Sequence, residues 1–277
     1  MKSRLIIPVF TLLTLGVMSF AAGENAPADD TAKDCNTVNA TNTQNTELEQ
    51  ILDHIGKASA NLKTFESGLS YLTIQDPDIV ESTTLQTGKL YYQKEADRSR
   101  LRIRFDQMQQ DDFAPEKYIE DYYFDGVWLT KVDYKLEQVS LYQQAPENKP
   151  VDVFELINDR FPLIGFSGIQ TLRKDFDITV ADTSGNDPNE PIQLLLKVKE
   201  DSKYLDNYKK VDFWIDKNTY SPVRVRAYST QGDIYDIRFF DCRINKKLKN
   251  GVFTIETPAG FRKNIEKLET TPETKGN

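Results

Sequence analysis

The chain has 277 residues, with 35 Lys and Arg against 43 Asp and Glu and a single His, for a formal net charge of −8. An acidic balance argues against a nucleic-acid binder, which presents a basic contact surface, and against electrostatic docking on anionic lipid. Two cysteines exclude a Cys-rich zinc module or a disulfide-dense miniprotein, and 39% apolar with 28% charged residues is the make-up of a soluble globular chain.

Lys2 and Arg4 form a short positive region ahead of Leu5 to Val17, which is almost purely apolar. Ser19-Phe20-Ala21 then places small residues where a signal peptidase cuts, so residues 1–21 read as a secretory signal peptide. The apolar run is too short for a membrane span, and no later stretch approaches about 20 apolar residues. The mature chain is expected to be exported and soluble. Residues 22–45 are polar and small, a flexible linker by composition. They hold Cys35; the other cysteine is Cys242. In an oxidising compartment the two can form a disulfide, and two free thiols is the other outcome.

From Thr46 the period is helical. Leu48, Ile51, Leu52, Ile55, Ala58 and Leu62 make one apolar stripe. Thr46 followed by Glu49 is a capping-box start. His54 lies off the stripe and is expected to face solvent. After Lys63 the period becomes two. Leu101, Ile103 and Phe105 alternate with Arg100, Arg102 and Arg104. The runs 192–199, 211–216 and 223–228 alternate likewise, and 66–75, 83–93, 118–125, 127–133, 137–144, 174–181 and 234–243 are further strands. Asp125-Gly126 is the strongest hairpin signal.

Pro150 opens a stretch over 151–165 that reads as one or two short helices inserted between strands. Longer loops are expected around 106–117 and 183–191, and residues 264–277 as a disordered tail. Strands follow one another without βαβ alternation, so a parallel sheet is not expected. The fold predicted is mainly β (α+β). It is a strongly curved, incompletely closed antiparallel β-barrel with an N-terminal amphipathic helix and a short helical lid insertion, one domain over 46–263.

The chemistry is as informative for what it lacks. His54 has no nucleophile motif to serve. There is no P-loop and no G-x-G-x-x-G. Carboxylates such as Asp111-Asp112 and Glu120-Asp121 are plentiful, but no spacing singles out an acid–base pair. No enzyme, cofactor or metal is expected. The arginines of 98–104 read as the wet face of a strand, paired to neighbouring carboxylates.

Several segments resemble the periplasmic outer-membrane lipoprotein carrier family, LolA-like. Leu48 to Phe65 is similar to its opening helix with an L-x-T-F exit. Gly88-Lys89-Leu90 is similar to its second-strand element. Tyr123 to Trp128 resembles its D-G hairpin, and Phe213-Trp214-Ile215-Asp216 with Thr219 its W-I-D turn. Phe253 and Pro258-Ala259-Gly260 resemble its closing segment. The resemblance covers about 46–262. It implies a periplasmic carrier that holds acyl chains of lipoproteins or lipids in an apolar cavity and shuttles them towards the outer membrane. It also implies a monomer, with an inner-membrane release complex and an outer-membrane acceptor as partners. Phe154, Leu156, Ile157, Phe161, Leu163 and Ile164 would be a lid, either movable or fixed as a plug. The family's Arg-Pro after the second strand is here Lys94-Glu95, so Lys94 takes the lid or partner contact, as a point charge without the planar fork. The alternative is a non-transporting envelope sensor or interaction protein of the same fold.

Each element carries one apolar face. Ile51, Leu52 and Ile55 of the helix, Leu101, Ile103 and Phe105 of the strand, and Phe154, Phe161 and Leu163 of the insertion are therefore expected to converge on one apolar space for the acyl chain.

Overall fold

Successive half-apolar strands need a common surface on which each buries one face. In the computed structural model they form one sheet. Residues 35–80, 82–95, 98–156, 163, 168–181 and 190–268 are described, with the backbone alone at 35–44 and 155–156. Helix α1 spans Cys35–Ala60. Strands β1 (Thr64–Ile74), β2 (Thr83–Lys94), β3 (Ser99–Gln110), β4 (Glu116–Phe124), β5 (Trp128–Asp133) and β6 (Gln138–Gln143) follow. The short helices α2 (Val153–Leu156) and α3 (Ile169–Asp175) come next. Then come β7 (Phe176–Val180), β8 (Ile192–Val198), β9 (Tyr208–Ile215), β10 (Pro222–Ser229), β11 (Ile234–Ile244) and β12 (Arg262–Glu266).

The 12 strands run in the order β12-β6-β5-β4-β3-β2-β1-β11-β10-β9-β8-β7. Two meanders therefore spread in opposite directions from the β1–β11 pair. The sheet does not close, because β12 and β7 stand at its two edges. The link from β6 to β7 has to cross from one side of the sheet to the other, which brings α2 and α3 over the same face as α1. Alternation decides which face that is. On β3, Leu101, Ile103 and Phe105 are at most 1% exposed, while Arg100, Arg102 and Arg104 between them are half-buried. The inner face packs with Ile51, Leu52 and Ile55 of α1 into one apolar cluster. Each fully buried Leu or Phe there stabilises the fold by about 1.5–3 kcal/mol.

The outer face holds the charges. Asp121 is wholly buried, and Arg102 embraces it from Nε at 2.7 Å and Nη2 at 3.0 Å. Arg104 donates to the same carboxylate at 2.9 Å. Asp236, 1% exposed, is held by Arg224, Arg226 and Arg238. The arginine stripe is thus paired to carboxylates, as its alternation indicates. The Asp125-Gly126 hairpin also forms. Gly126 takes φ +98°, and the Asp125 carboxylate accepts from the backbone N–H groups of Val127 and Trp128.

Several expectations need correction. The sheet is mixed rather than purely antiparallel, since β12 runs parallel to β6. β12 also takes the start of the stretch expected as tail. Helix α1 begins at Cys35, within the stretch expected as linker. The loop expected at 106–117 is mostly strand: β3 continues to Gln110 and β4 starts at Glu116. Cys242 is a free cysteine, in line with the second of the two outcomes that the sequence leaves open. Continuous helix from Cys35 carries that residue about 24 Å along the axis from Ile51. Burial, then the carboxylates of Asp216 and Asp241, push the Cys242 thiol up to about 11. It stays protonated and unreactive near neutrality. The signal peptide and Phe161 lie outside the described residues. No described helix is long and apolar enough to cross a membrane.

Candidate functional site

Eight of the nine apolar residues gathered from the sequence are described. All eight, Ile51, Leu52, Ile55, Leu101, Ile103, Phe105, Phe154 and Leu163, are buried in one cluster. They meet as packed core. One open space lies beside them and shares only Phe154 with the set.

That space is a crevice of about 270 Å³. One wall is the last turns of α1, at Gly56, Ser59 and Ala60, continuing to Leu62. The floor is the end of β2, at Tyr92 and Lys94. The other wall is Asp152 and Phe154 at the start of the insertion and Gly168 to Thr171 at its end. Phe154 and Gly168 thus stand at two lips of the crevice.

The lips are fixed by local chemistry. Ser99 Oγ donates to the Asp152 carboxylate at 3.3 Å and accepts from Val153 N–H at 3.1 Å. Asp152 accepts from Phe154 N–H at 2.9 Å, which starts α2. The Phe154 ring packs on Tyr92 with centroids 4.6 Å apart. Burial first, then the Asp152 charge, raises the Tyr92 phenol above its ordinary value. On the opposite side α3 approaches α1 closely, because Gly56 leaves room for Ile169. Arg173 of α3 is paired with Glu49 of α1. Both are exposed, so this pair adds little stability.

Lys94 is exposed at the crevice mouth, at the end of β2. Its neighbour Glu95 is turned to Arg100. His54 is exposed and stacks on Tyr220 with centroids 4.5 Å apart. Among the described residues no group of three or more His, Cys, Asp or Glu is placed to hold a metal ion. The arrangement can take up an apolar group between the two helical walls and meet a polar head with Lys94.

Sequence reasoning missed α3 and its lining residues Gly168, Ile169, Gln170 and Thr171. Ile169 and Leu172 carry a helical i, i+3 signal, but seven residues are too few to stand out. It also missed the aromatic file that fills the inner face away from the crevice. Tyr71, Tyr235 and Tyr208 pack there, with Phe105 against Tyr71.

A second cavity, about 440 Å³, lies on the outer face at the same end of the strands. It is lined by Thr64, Gln93 and Arg100 on the sheet and by the loop from Lys247 to Thr254. Arg102 Nη1 donates to the carbonyl of Val252 at 2.8 Å and holds that loop down.

No family model and no curated protein matches the sequence. Solved structures do. An uncharacterized conserved protein from Thermus thermophilus aligns over 79% of this chain and 99% of its own, at 11% identity and a TM-score of 0.45. A chain of the Pseudomonas aeruginosa MucA/MucB complex aligns over 75% of this chain and 60% of its own, at 11% identity and a TM-score of 0.39. A putative outer membrane lipoprotein-sorting protein domain from Vibrio parahaemolyticus aligns over 74% of this chain and 97% of its own, at 12% identity and a TM-score of 0.37. These are likenesses of fold.

Proposed function

We propose that this protein is an exported carrier that takes the acyl chain of a lipid or lipoprotein into the crevice between α1, the end of β2 and α3. The observation that carries this reading is the crevice itself. It opens at the edge of the apolar core, Leu62, Tyr92, Phe154 and Ile169 line it, and both ends of the insertion flank it. The resemblance of the sequence motifs to those of lipoprotein carriers supports the same reading. Transfer of an acyl chain from water favours such a site by about 0.8 kcal/mol per CH₂. At about 270 Å³ the crevice lies below the usual ligand pocket of about 300–1,000 Å³. Uptake of a long chain then requires the space to widen past Phe154. In this reading Lys94 meets the polar head. An inner-membrane donor and an outer-membrane acceptor are the partners it implies, with the periplasm as its compartment.

Gly168 supplies the test. It has φ −56°, and a Cβ there would meet nothing within 4 Å. Gly168→Trp is expected to fill the crevice without unfolding the protein. Displacing even two CH₂ groups of a bound chain removes about 1.6 kcal/mol, or about tenfold in affinity. Titration with a fluorescent fatty acid should therefore weaken at least tenfold while the melting temperature holds. Parental affinity in the folded variant would remove the crevice as the site. No capture by the parent itself would favour the non-transporting sensor instead. Leu101→Glu is not a substitute, since it buries an unpaired charge opposite Phe124 and tests folding.

A further inference from the structure

The charge of this acidic chain is unevenly placed. Five lysines, Lys63, Lys94, Lys246, Lys247 and Lys249, are exposed at the end of the strands where the crevice opens. The backbone ties them into one rim. Lys94 N–H donates to the carbonyl of Lys63 at 2.8 Å. Lys63 N–H donates to Asn245 Oδ1 at 2.7 Å, and Thr64 Oγ1 donates to the carbonyl of Lys246 at 2.7 Å. Asn245 sits at φ 54°, a conformation Asn tolerates, and from it the loop carrying Lys246, Lys247 and Lys249 swings over the outer cavity.

The carboxylates nearby are already engaged. Glu95 pairs with Arg100, Asp53 with Lys57 and Glu66 with Arg243. Asp216 accepts from Asn218 and Thr219 of its own turn, and Asp152 from Phe154. Asp241 is an exposed acid that remains. No described carboxylate forms an ion pair with any of the five lysines.

We infer that this rim docks on an anionic phospholipid surface, with the five lysines on headgroup phosphates and the crevice mouth turned towards the acyl region. The inference rests on the acyl-carrier reading and adds how the crevice meets its source. Composition alone argues against such docking, because net charge averages over the whole surface. At a membrane only the charges within a Debye length of the headgroups count, about 10 Å at 0.1 M salt. A cluster of this size is what attracts anionic lipid.

The test is vesicle flotation of the mature chain. Vesicles of equal parts phosphatidylglycerol and phosphatidylcholine should carry the protein, and pure phosphatidylcholine should not. Binding should vanish at about 1 M salt, where the Debye length is about 3 Å. A variant with Lys246→Glu, Lys247→Glu and Lys249→Glu should bind the anionic vesicles at least about tenfold more weakly. A control with Lys117→Glu, Lys203→Glu and Lys209→Glu changes net charge equally at the far end of the strands and should fall much less. Equal loss in both variants would overturn the inference, because net charge alone would then explain binding. Equal binding to both vesicle types would overturn it too. So would displacement by millimolar inorganic phosphate, which would mark a site for the free anion. Capture of a fluorescent fatty acid in solution, measured on the same samples, should be unchanged in both variants. Loss of vesicle binding with capture intact supports the rim; failure of the parent to capture would sink the carrier reading separately.

Discussion

Asp121→Ala is expected to destabilise the protein by about 3–5 kcal/mol, the cost of breaking a buried ion pair by removing one partner. Asp121 is fully buried and takes three hydrogen bonds from Arg102 and Arg104. Its loss leaves two guanidinium groups facing each other without the carboxylate between them. The effect reaches beyond β4. Arg102 also holds the carbonyls of Val252 and Thr254, so the loop over the outer cavity should loosen. Urea unfolding should show the loss of stability, and limited proteolysis should show faster cleavage after Lys249. The exposed pair of Lys135 and Glu116, 3.1 Å apart, is the internal control. Lys135→Ala should cost no more than about 1 kcal/mol. If the two variants unfold together, the buried cluster does not hold the outer face.

Gly88→Ala is the second large effect, and its contrast with Gly68→Ala gives it meaning. A Cβ at Gly88 would lie 1.9 Å from the carbonyl oxygen of Arg104 and 2.8 Å from Cα of Phe105. Both are backbone atoms of the neighbouring strand, at the point where the β2–β3 register shifts. Neither can move without parting the ladder, so the cost is expected to be about 3 kcal/mol. The nearest atoms to a Cβ at Gly68 would be those of the Phe240 ring, at 2.1 Å. That ring is 47% exposed and can swing into solvent. Gly68→Ala should then stay within about 1 kcal/mol of the parent, since alanine also loses less entropy on folding. Similar melting temperatures for the two variants would contradict a close backbone approach at Gly88.

Strands such as β3, β8 and β10 were readable because each carries its alternation in its own residues, as Leu101-Arg102-Ile103-Arg104-Phe105 does. β12 carries none. Arg262 to Glu266 is short, charged and exposed, and it becomes a strand only because the preceding loop delivers it to the edge of β6. The early turns of α1 were hidden for a similar reason, since Cys35 to Asn45 has no apolar stripe to mark a helix. The convergence of Ile51, Leu101 and Phe154 was readable, because one-sided elements have to share a core. The crevice was not. It forms where Gly56 lets α3 close on α1 and where Ser99 pins Asp152, two contacts between residues far apart in sequence. The basic rim was equally hidden, since Lys63, Lys94 and Lys246 meet only through the β1–β2 and β1–β11 pairings.

The most direct measurement is native mass spectrometry of the protein purified from its own cell envelope without delipidation. The carrier reading predicts a species heavier than the mature chain by the mass of a lipid or an acylated peptide. It also predicts that Gly168→Trp, purified in parallel, lacks that species. A bare polypeptide mass for the parent, or an equal load on both proteins, would contradict an acyl site in the crevice.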